Sequence, residues 1–337
     1  MLTMIDLLVV LSSLLSFVAA AMILPWLIRY LRRIDMVVHD QHKEGKPLIP
    51  LSGGVGVLGG VVAGFMIFIF FQTFLPQITK NAFLNERTLI LLLAAIITIF
   101  AITFIGFIDD LLIRKSKIES AGLRQWQKPL LTLGAAVPLM VAKAGQSSLI
   151  VPLFGRIDFG VLYPLVLVPI GVVGAANMVN LFAGLNGLEA GLGIIYLSSL
   201  GTYAYVHGRY LAALIAFVTC GALIAFWLYN KVPAKILPGD SLTYLLGATL
   251  ATIAIVGDLE KATLIVSIPF IIEFFLKSRG KFKKTTVGYE KAGKIYSHYK
   301  KIYSLPHIFM RGKYTEKQAV YLLLGIELIF AVLIWIV

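Results

Sequence analysis

Thr88-Leu-Ile-Leu-Leu-Leu-Ala-Ala-Ile-Ile-Thr-Ile-Phe-Ala-Ile-Thr-Phe-Ile-Gly-Phe-Ile108 carries no charge and ends on Asp109-Asp110. About 20 consecutive apolar residues are what an α-helix needs to cross the hydrocarbon core of a bilayer. Asp240–Gly257 is a second such run, and others recur along the chain. Runs this long and this frequent are not those of a soluble α-protein. Working outward, the pattern predicts ten helices, at 5–28, 52–75, 88–108, 129–145, 160–177, 188–206, 210–229, 241–257, 262–277 and 318–337. His207-Gly208-Arg209 and Asp258–Lys261 leave two of the links nearly absent. The expected fold class is all-α, a polytopic integral membrane protein with about ten transmembrane helices. One membrane-embedded domain over 1–337 is expected, with a basic cytoplasmic loop at 278–317 inside it. Leu7–Ile28 has no basic residue before it and is too long for a signal-peptide core, so it reads as a retained helix.

Composition agrees. Of the 337 residues 59% are hydrophobic and 14% charged, where soluble domains carry about a quarter charged. The single cysteine, Cys220, excludes an internal disulfide and reads as a small core hydrophobe. The net charge of +13 could suggest nucleic acid. In a membrane protein it reflects topology and anionic phosphates instead, so lipids are the expected partners and nucleic acid is not. With ten helices, 24 of the 30 Lys and Arg fall on one side, which is then cytoplasmic, and both termini lie outside.

Two stretches read as structural. Gln146–Gly160, apolar and interrupted by Pro and Gly, suggests a small external hairpin. Ser52-Gly53-Gly54-Val55-Gly56, with Gly59-Gly60 and Gly64, lacks the Lys-Ser/Thr ending of a phosphate loop. Small residues at this spacing let membrane helices pack closely, with a substrate-facing first turn as the alternative.

The unusual polar groups all fall on the expected cytoplasmic side. Asp109 and Asp110 repel each other near the bilayer, where a charge costs about 3 kcal/mol; a cation would relieve both problems, and a solvated helix end is the plainer reading. Asn177 and Asn180 share a helix face and lead into Leu181-Phe182-Ala183-Gly184-Leu185-Asn186-Gly187-Leu188-Glu189-Ala190-Gly191. Glycines break the helix there, and broken backbone at membrane depth is tolerated where it lines a cavity. The freed amides and carbonyls could read a nucleobase edge. Asp240, in Pro238-Gly239-Asp240, is either an N-cap or a magnesium ligand beside substrate phosphates. Lys128 opens a helix in Arg124-Gln125-Trp126-Gln127-Lys128-Pro129 and either snorkels to headgroups or binds a phosphate. Lys277–Lys317 carries twelve Lys and Arg, Arg279 and Lys281 among them, a lipid-facing surface of which part could close over a diphosphate.

In this order, the clusters resemble the polyprenyl-phosphate N-acetylhexosamine-1-phosphate transferases over nearly the whole chain. Asp40-Gln41-His42-Lys43 with Pro50 and Gly53-Gly54 resembles the family's first cytoplasmic loop, and Phe107-Ile108-Asp109-Asp110 its acidic motif. Asn177–Gly191 is similar to the eukaryotic and archaeal dolichyl-phosphate N-acetylglucosamine-1-phosphate transferases; the bacterial enzymes usually carry Asp-Gly where Ala183-Gly184 stands. The resemblance implies ten helices, a cytoplasmic active site and an extracytoplasmic N-terminus. It implies transfer of N-acetylglucosamine 1-phosphate from UDP-N-acetylglucosamine to a polyprenyl or dolichyl phosphate, with release of UMP. Asn180 and Asp240 would hold Mg²⁺, with Mn²⁺ as a substitute. Asp109, Asp110 and Lys128 would be catalytic. Gly184, Asn186 and Leu237 would contact uridine, and Arg279 with Lys281 the diphosphate. Asp40, Lys43, Asn177 and Glu189 are further candidates. Leu237 departs from the aromatic platform of the eukaryotic enzymes, and Arg279-Gly280-Lys281 matches their Arg-His-Arg cluster only loosely. The expected location is an archaeal cell membrane, or the endoplasmic reticulum in a eukaryote, with a homodimer left open. A transporter or lipid flippase is the rival, expecting polar groups at mid-membrane in inverted repeats. An intramembrane prenyltransferase would need paired Asp-x-x-x-Asp motifs, and only one Asp-Asp pair is present.

Overall fold

A computed structural model describes residues 4–75, 77, 83–116, 122–151 and 155–336. Its elements follow the apolar runs: α1 (Met4–Arg33), β1 (Val37–His39), β2 (Leu48–Pro50), α2 (Gly54–Phe74), α3 (Glu86–Ser116), α4 (Gln127–Ala135), α5 (Val137–Val141), β3 (Ser148–Val151), β4 (Gly155–Asp158), α6 (Val168–Leu181), α7 (Leu188–Val206), α8 (Tyr210–Asn230), α9 (Gly239–Gly257), α10 (Glu260–Val266), α11 (Ile268–Arg279), β5 (Tyr289–Lys291), β6 (Lys294–Tyr296) and α12 (Glu316–Leu333). A π-helical turn, Tyr163–Leu167, leads into α6, and a 3₁₀ turn, Leu305–Ile308, precedes α12. Among the described residues the strands form three separate antiparallel pairs. One of them, β3–β4, is the hairpin expected at 146–160, with Ser148 opposite Asp158.

The protein is an all-α integral membrane protein. Among the described residues, six helical segments are long and apolar enough to cross a bilayer: Asp6–Arg33, Gly54–Phe74, Glu86–Ile113, Tyr163–Leu181, Tyr210–Asn230 and Gly239–Gly257. The other four expected spans are helical but differ. Those at 188–206 and 318–337 are α7 and α12. That at 129–145 is divided into α4 and α5, and that at 262–277 into α10 and α11. Both breaks fall just ahead of a proline, Pro138 and Pro269, whose ring clashes with the preceding turn and which lacks an N–H for the helical ladder.

The core sits around α9, where every residue from Ser241 to Ile255 is buried. It packs against α3, α6, α8 and α2, while α1 covers α2 and α8, and α12 covers α7. The glycine stretch behaves as packing residues. A Cβ at Gly60 would collide with Ala20 and the Ser16 carbonyl of α1, and one at Gly54 with the backbone of Leu242. At Gly106 it would strike the carbonyl of Asp240, so α3 and α9 touch at the level of the acidic residues. Large apolar side chains such as Met22, Phe74, Phe104, Leu130 and Ile329 remain exposed, the surface a lipid-facing bundle must present.

Candidate active site

The C-terminal ends of α3 and α6 meet the N-terminal ends of α4 and α9, and each contributes one polar group or more. The Lys128 ammonium, at the start of α4, lies 2.8 Å from Asp109 Oδ2 and 2.7 Å from Asp240 Oδ2. Asn180 Nδ2 donates to the same Asp240 oxygen at 3.0 Å. Asp109 also accepts the backbone N–H of Leu123. Four of the expected residues, from four helices, thus form one cluster, which Asp110 joins as a fifth.

The two adjacent aspartates do different things. Asp110 accepts the backbone N–H of Asp240 at 2.7 Å, the N–H of Ser241 at 3.2 Å and the Ser52 hydroxyl at 2.5 Å. It therefore caps α9 from a neighbouring helix, satisfying amides that a helix start leaves free. The N-cap position of α9 itself, Pro238, offers no side-chain bond. This removes the reading of Asp240 as an N-cap. Its carboxylate points instead at Lys128 and Asn180. Gly239 sits at φ +69°, and a Cβ there would strike the Asp110 carboxylate; only glycine allows the approach.

A cleft of about 430 Å³ opens on this cluster. Asn180 and Asp240 stand on its wall, as do Asp40, Gly184, Asn186, Glu189 and Leu237. Asp109 is 1% exposed. Two carboxylates, Asp109 and Asp240, face one ammonium within hydrogen-bond reach, and a third, Asp110, accepts the Asp240 backbone N–H behind them. The donors are oxygens, the hard ligands that Mg²⁺ takes, and the set is anionic beyond what Lys128 neutralises. The residues present fit a divalent cation held by Asp240, with the Asn180 amide oxygen, which here accepts the Thr243 hydroxyl at 3.2 Å, as a second ligand once that amide turns.

The turn after α6 differs from expectation. Its amides are largely occupied by the protein itself. Gly184 N–H donates to Glu189 Oε1 at 2.7 Å, Asn186 N–H to Glu316 Oε1 at 2.9 Å and Gly187 N–H to Asn230 Oδ1 at 3.1 Å. These three amides are therefore not free for a base, which corrects the reading of the turn as a set of open donors. Glycine at φ +133° (Gly184) and +84° (Gly187) gives the turn its shape. What Asn186 presents is its side chain, discussed below.

Asn177 faces α9, as the shared face with Asn180 requires, but it is spent on packing. Its Nδ2 donates to Val173 O at 2.8 Å, and its Oδ1 accepts from Tyr244 Oη at 3.3 Å. Lys43 pairs with Glu316 at the start of α12. Arg279 and Lys281 are not brought to the cleft wall. Arg279 donates to the Ile302 carbonyl and stacks 5.4 Å over the Tyr303 ring, and Lys281 is exposed at φ 53°.

A lysine that does line the cleft is Lys277, with Thr286. Its ammonium donates to Thr286 Oγ1 at 2.6 Å and lies 3.8 Å from Glu273. The sequence signal was a Glu four residues before a Lys inside an apolar helix, a pair that neither residue explains alone. His42 and Glu316 were also missed as participants. Gly288 N–H donates to His42 Nε2 at 2.9 Å, so the ring proton sits on Nδ1, 3.8 Å from Glu316. Burial pushes the His42 imidazole down to about 4. Asp40, His42 and Glu316 cluster closely enough to hold a metal. Their acceptors are instead taken by Lys43, by the Asn186 N–H and side-chain amide, and by backbone N–H groups.

Residues 92–258 match the model of glycosyl transferase family 4. A protein of Saccharolobus solfataricus is 36% identical over 96% of this chain and 95% of its own length. One of Sulfolobus acidocaldarius is 30% identical over 96% and 94%. The names of both propose a UDP-N-acetylglucosamine–dolichyl-phosphate N-acetylglucosaminephosphotransferase. The phospho-N-acetylmuramoyl-pentapeptide-transferase of Streptococcus pyogenes is 31% identical over 79% of this chain and 78% of its own. Likeness of this extent, running through the acidic cluster and the cleft alike, means that the chain belongs to glycosyl transferase family 4.

Proposed function

We propose that the protein transfers N-acetylglucosamine 1-phosphate from UDP-N-acetylglucosamine to a polyprenyl or dolichyl phosphate, releasing UMP. The observation that carries this reading is Lys128 held between Asp109 and Asp240, with Asp240 on the wall of a cleft that continues to Asn186. It puts Asp240 and Asn180 in one continuous space with the Asn186 side chain. The site faces the cytoplasm of an archaeal cell membrane, at one end of ten crossings, with the polyprenyl chain left in lipid. A transporter or flippase would want its polar groups at mid-membrane; here they gather at helix ends.

The reaction is a direct displacement. An oxygen of the lipid phosphate forms a bond to the sugar-bearing phosphorus, the bond from that phosphorus to the bridging oxygen breaks, and the bridging oxygen leaves on UMP. The acceptor is already anionic at neutral pH, so the main barrier is the meeting of two anions. Lys128 supplies positive charge at the reacting phosphates. Asp109 and Asp240 hold its ammonium from two sides, which fixes its direction. Asp110 fixes the first turn of α9 and with it the Asp240 carboxylate. Bound Mg²⁺, held by Asn180 and Asp240, would supply Lewis-acid neutralisation of the diphosphate. The test is UMP release by the purified protein. It should require both Mg²⁺ and added polyprenyl phosphate; release without the lipid acceptor, or none with any UDP-sugar, would reject the reading.

A further inference from the structure

Asn186 is 5% exposed and Asp40 3% exposed, yet both reach the cleft. Asn186 Nδ2 donates to Asp40 Oδ2 at 2.7 Å across a sequence separation of 146 residues. A carboxylate can only accept. The end of the amide that faces Asp40 must therefore be the NH₂, and the partner resolves an orientation otherwise ambiguous between O and N. Asp40 is itself fixed. Its Oδ1 accepts the His42 N–H at 3.1 Å, and its own N–H donates to Pro47 O at 3.0 Å. The Asn186 backbone is fixed too, by Glu316 at 2.9 Å. With one N–H of the NH₂ on Asp40 and the amide so oriented, the end turned away from Asp40 is Oδ1, an acceptor.

We infer that Asp40 is a positioning residue that sets the direction of the Asn186 amide and thereby selects uracil over cytosine in the nucleotide bound at the cleft. This rests on the reading that a uridine nucleotide binds beside Asn186. Uracil presents an N–H at ring position 3, and cytosine presents a lone pair there. An acceptor aimed at that position gains a hydrogen bond from uracil and meets repulsion from cytosine. A reversed amide would do the opposite. A site built to bond one polarity rejects the other strongly, because the buried polar group is left unpaired.

The experiment uses the full chain in detergent or nanodiscs and measures Kd for UMP and for CMP by calorimetry, with thermal unfolding alongside. The variants are Asp40→Asn, Asp40→Ser, Asp40→Glu and Asn186→Ala. Asn or Ser at position 40 can donate as well as accept, so the Asn186 amide is free to reverse. The ratio of the two Kd values should narrow by about tenfold or more, the scale of one buried hydrogen bond. Asp40→Glu, which can only accept, should keep more of the ratio than Asn or Ser does. Either Asn or Ser alone suffices if the other does not fold. A wild-type ratio in Asp40→Asn and Asp40→Ser, with the ratio collapsed in Asn186→Ala, would overturn the role of Asp40 and leave the base reading intact. A wild-type ratio in Asn186→Ala as well would overturn the base reading. Equal weakening of both nucleotides, with a lowered unfolding temperature, would make Asp40 a fold residue only and also overturn the inference.

Discussion

The carboxylate of Asp110 accepts the backbone N–H of Asp240 at 2.7 Å, so the helix that carries one acidic residue of the site is capped by another from a neighbouring helix. Two residues that look alike in sequence, Asp109 and Asp110, are separated by this bond. One faces Lys128 and the other builds the platform under Asp240.

Substitution should separate the two roles. Asp110→Ala strands the Asp240 and Ser241 amides and the Ser52 hydroxyl, and each buried unmet group costs about 1–3 kcal/mol. Its unfolding temperature should drop clearly together with activity. Asp240→Ala removes one of three neighbouring carboxylates, two of them on the Lys128 ammonium, which relieves repulsion while removing a proposed metal ligand. It should unfold near the wild-type temperature and lose turnover about 10²-fold or more. Asp240→Ala retaining the wild-type Mg²⁺ dependence would sink the assignment.

Much of this site was legible because polar residues inside apolar runs have few structural excuses. Asp109, Asp110, Asn180, Asp240 and Asn186 all announced themselves that way. Their division of labour did not. It depends on which oxygen meets which amide, and the partners lie up to 146 residues apart. Glu316 hid in an ordinary helix start, Thr315 to Gln318, whose reciprocal capping bonds the structure contains. Arg279 looked better placed than Lys277, but the chain turns after α11 and directs the arginine to Ile302 and Tyr303. Most helix edges were readable to a few residues, although α3 runs on to Ser116 past the expected 108, whereas the breaks before Pro138 and Pro269 divided two segments that hydropathy joins.

Orientation can be tested with introduced cysteines, since the native Cys220 is buried. A cysteine at Lys291, in the basic loop, should react with an impermeant maleimide only when the cytoplasmic face is open. One at His207, in the short exposed link after α7, should react from outside. The reverse pattern would turn the active site to the other face.

His42 makes stability depend on pH. Its folded-state value near 4 lies below the ordinary histidine value of about 6.5. Between these values the unfolded chain binds the extra proton, so stability rises with pH there. The contribution is complete above about pH 6.5 and is lost as pH falls toward 4, by up to about 3 kcal/mol. His42→Gln keeps an acceptor for Gly288 N–H and cannot titrate. Its unfolding temperature should fall less than that of wild type between pH 7 and pH 5. His307, also pushed down to about 4 by burial, retains part of the slope in both proteins. Parallel slopes would show that burial does not hold the His42 imidazole below its ordinary value.

Lys128 is the residue whose removal best separates electrostatics from chemistry. Its ammonium is the nearest counter-charge to Asp109 and Asp240, at 2.8 and 2.7 Å. In Lys128→Met the carboxylates lose that charge, so a divalent cation should bind more tightly and half-saturate turnover at lower Mg²⁺. If Lys128 only holds the carboxylates together until metal arrives, excess Mg²⁺ would then restore the wild-type kcat. If it meets the phosphates as charge shifts onto the leaving UMP, metal cannot substitute, and kcat stays low by about 10²-fold or more even at saturation. The second outcome is expected, because the ammonium sits on the same Asp240 oxygen that Asn180 approaches, between the two residues proposed to hold the metal and the buried Asp109. A titration of kcat against Mg²⁺ for the two proteins decides it: convergence at high metal would reduce Lys128 to a structural counter-ion, whereas a persistent gap with a left-shifted curve assigns it to the transferring phosphate.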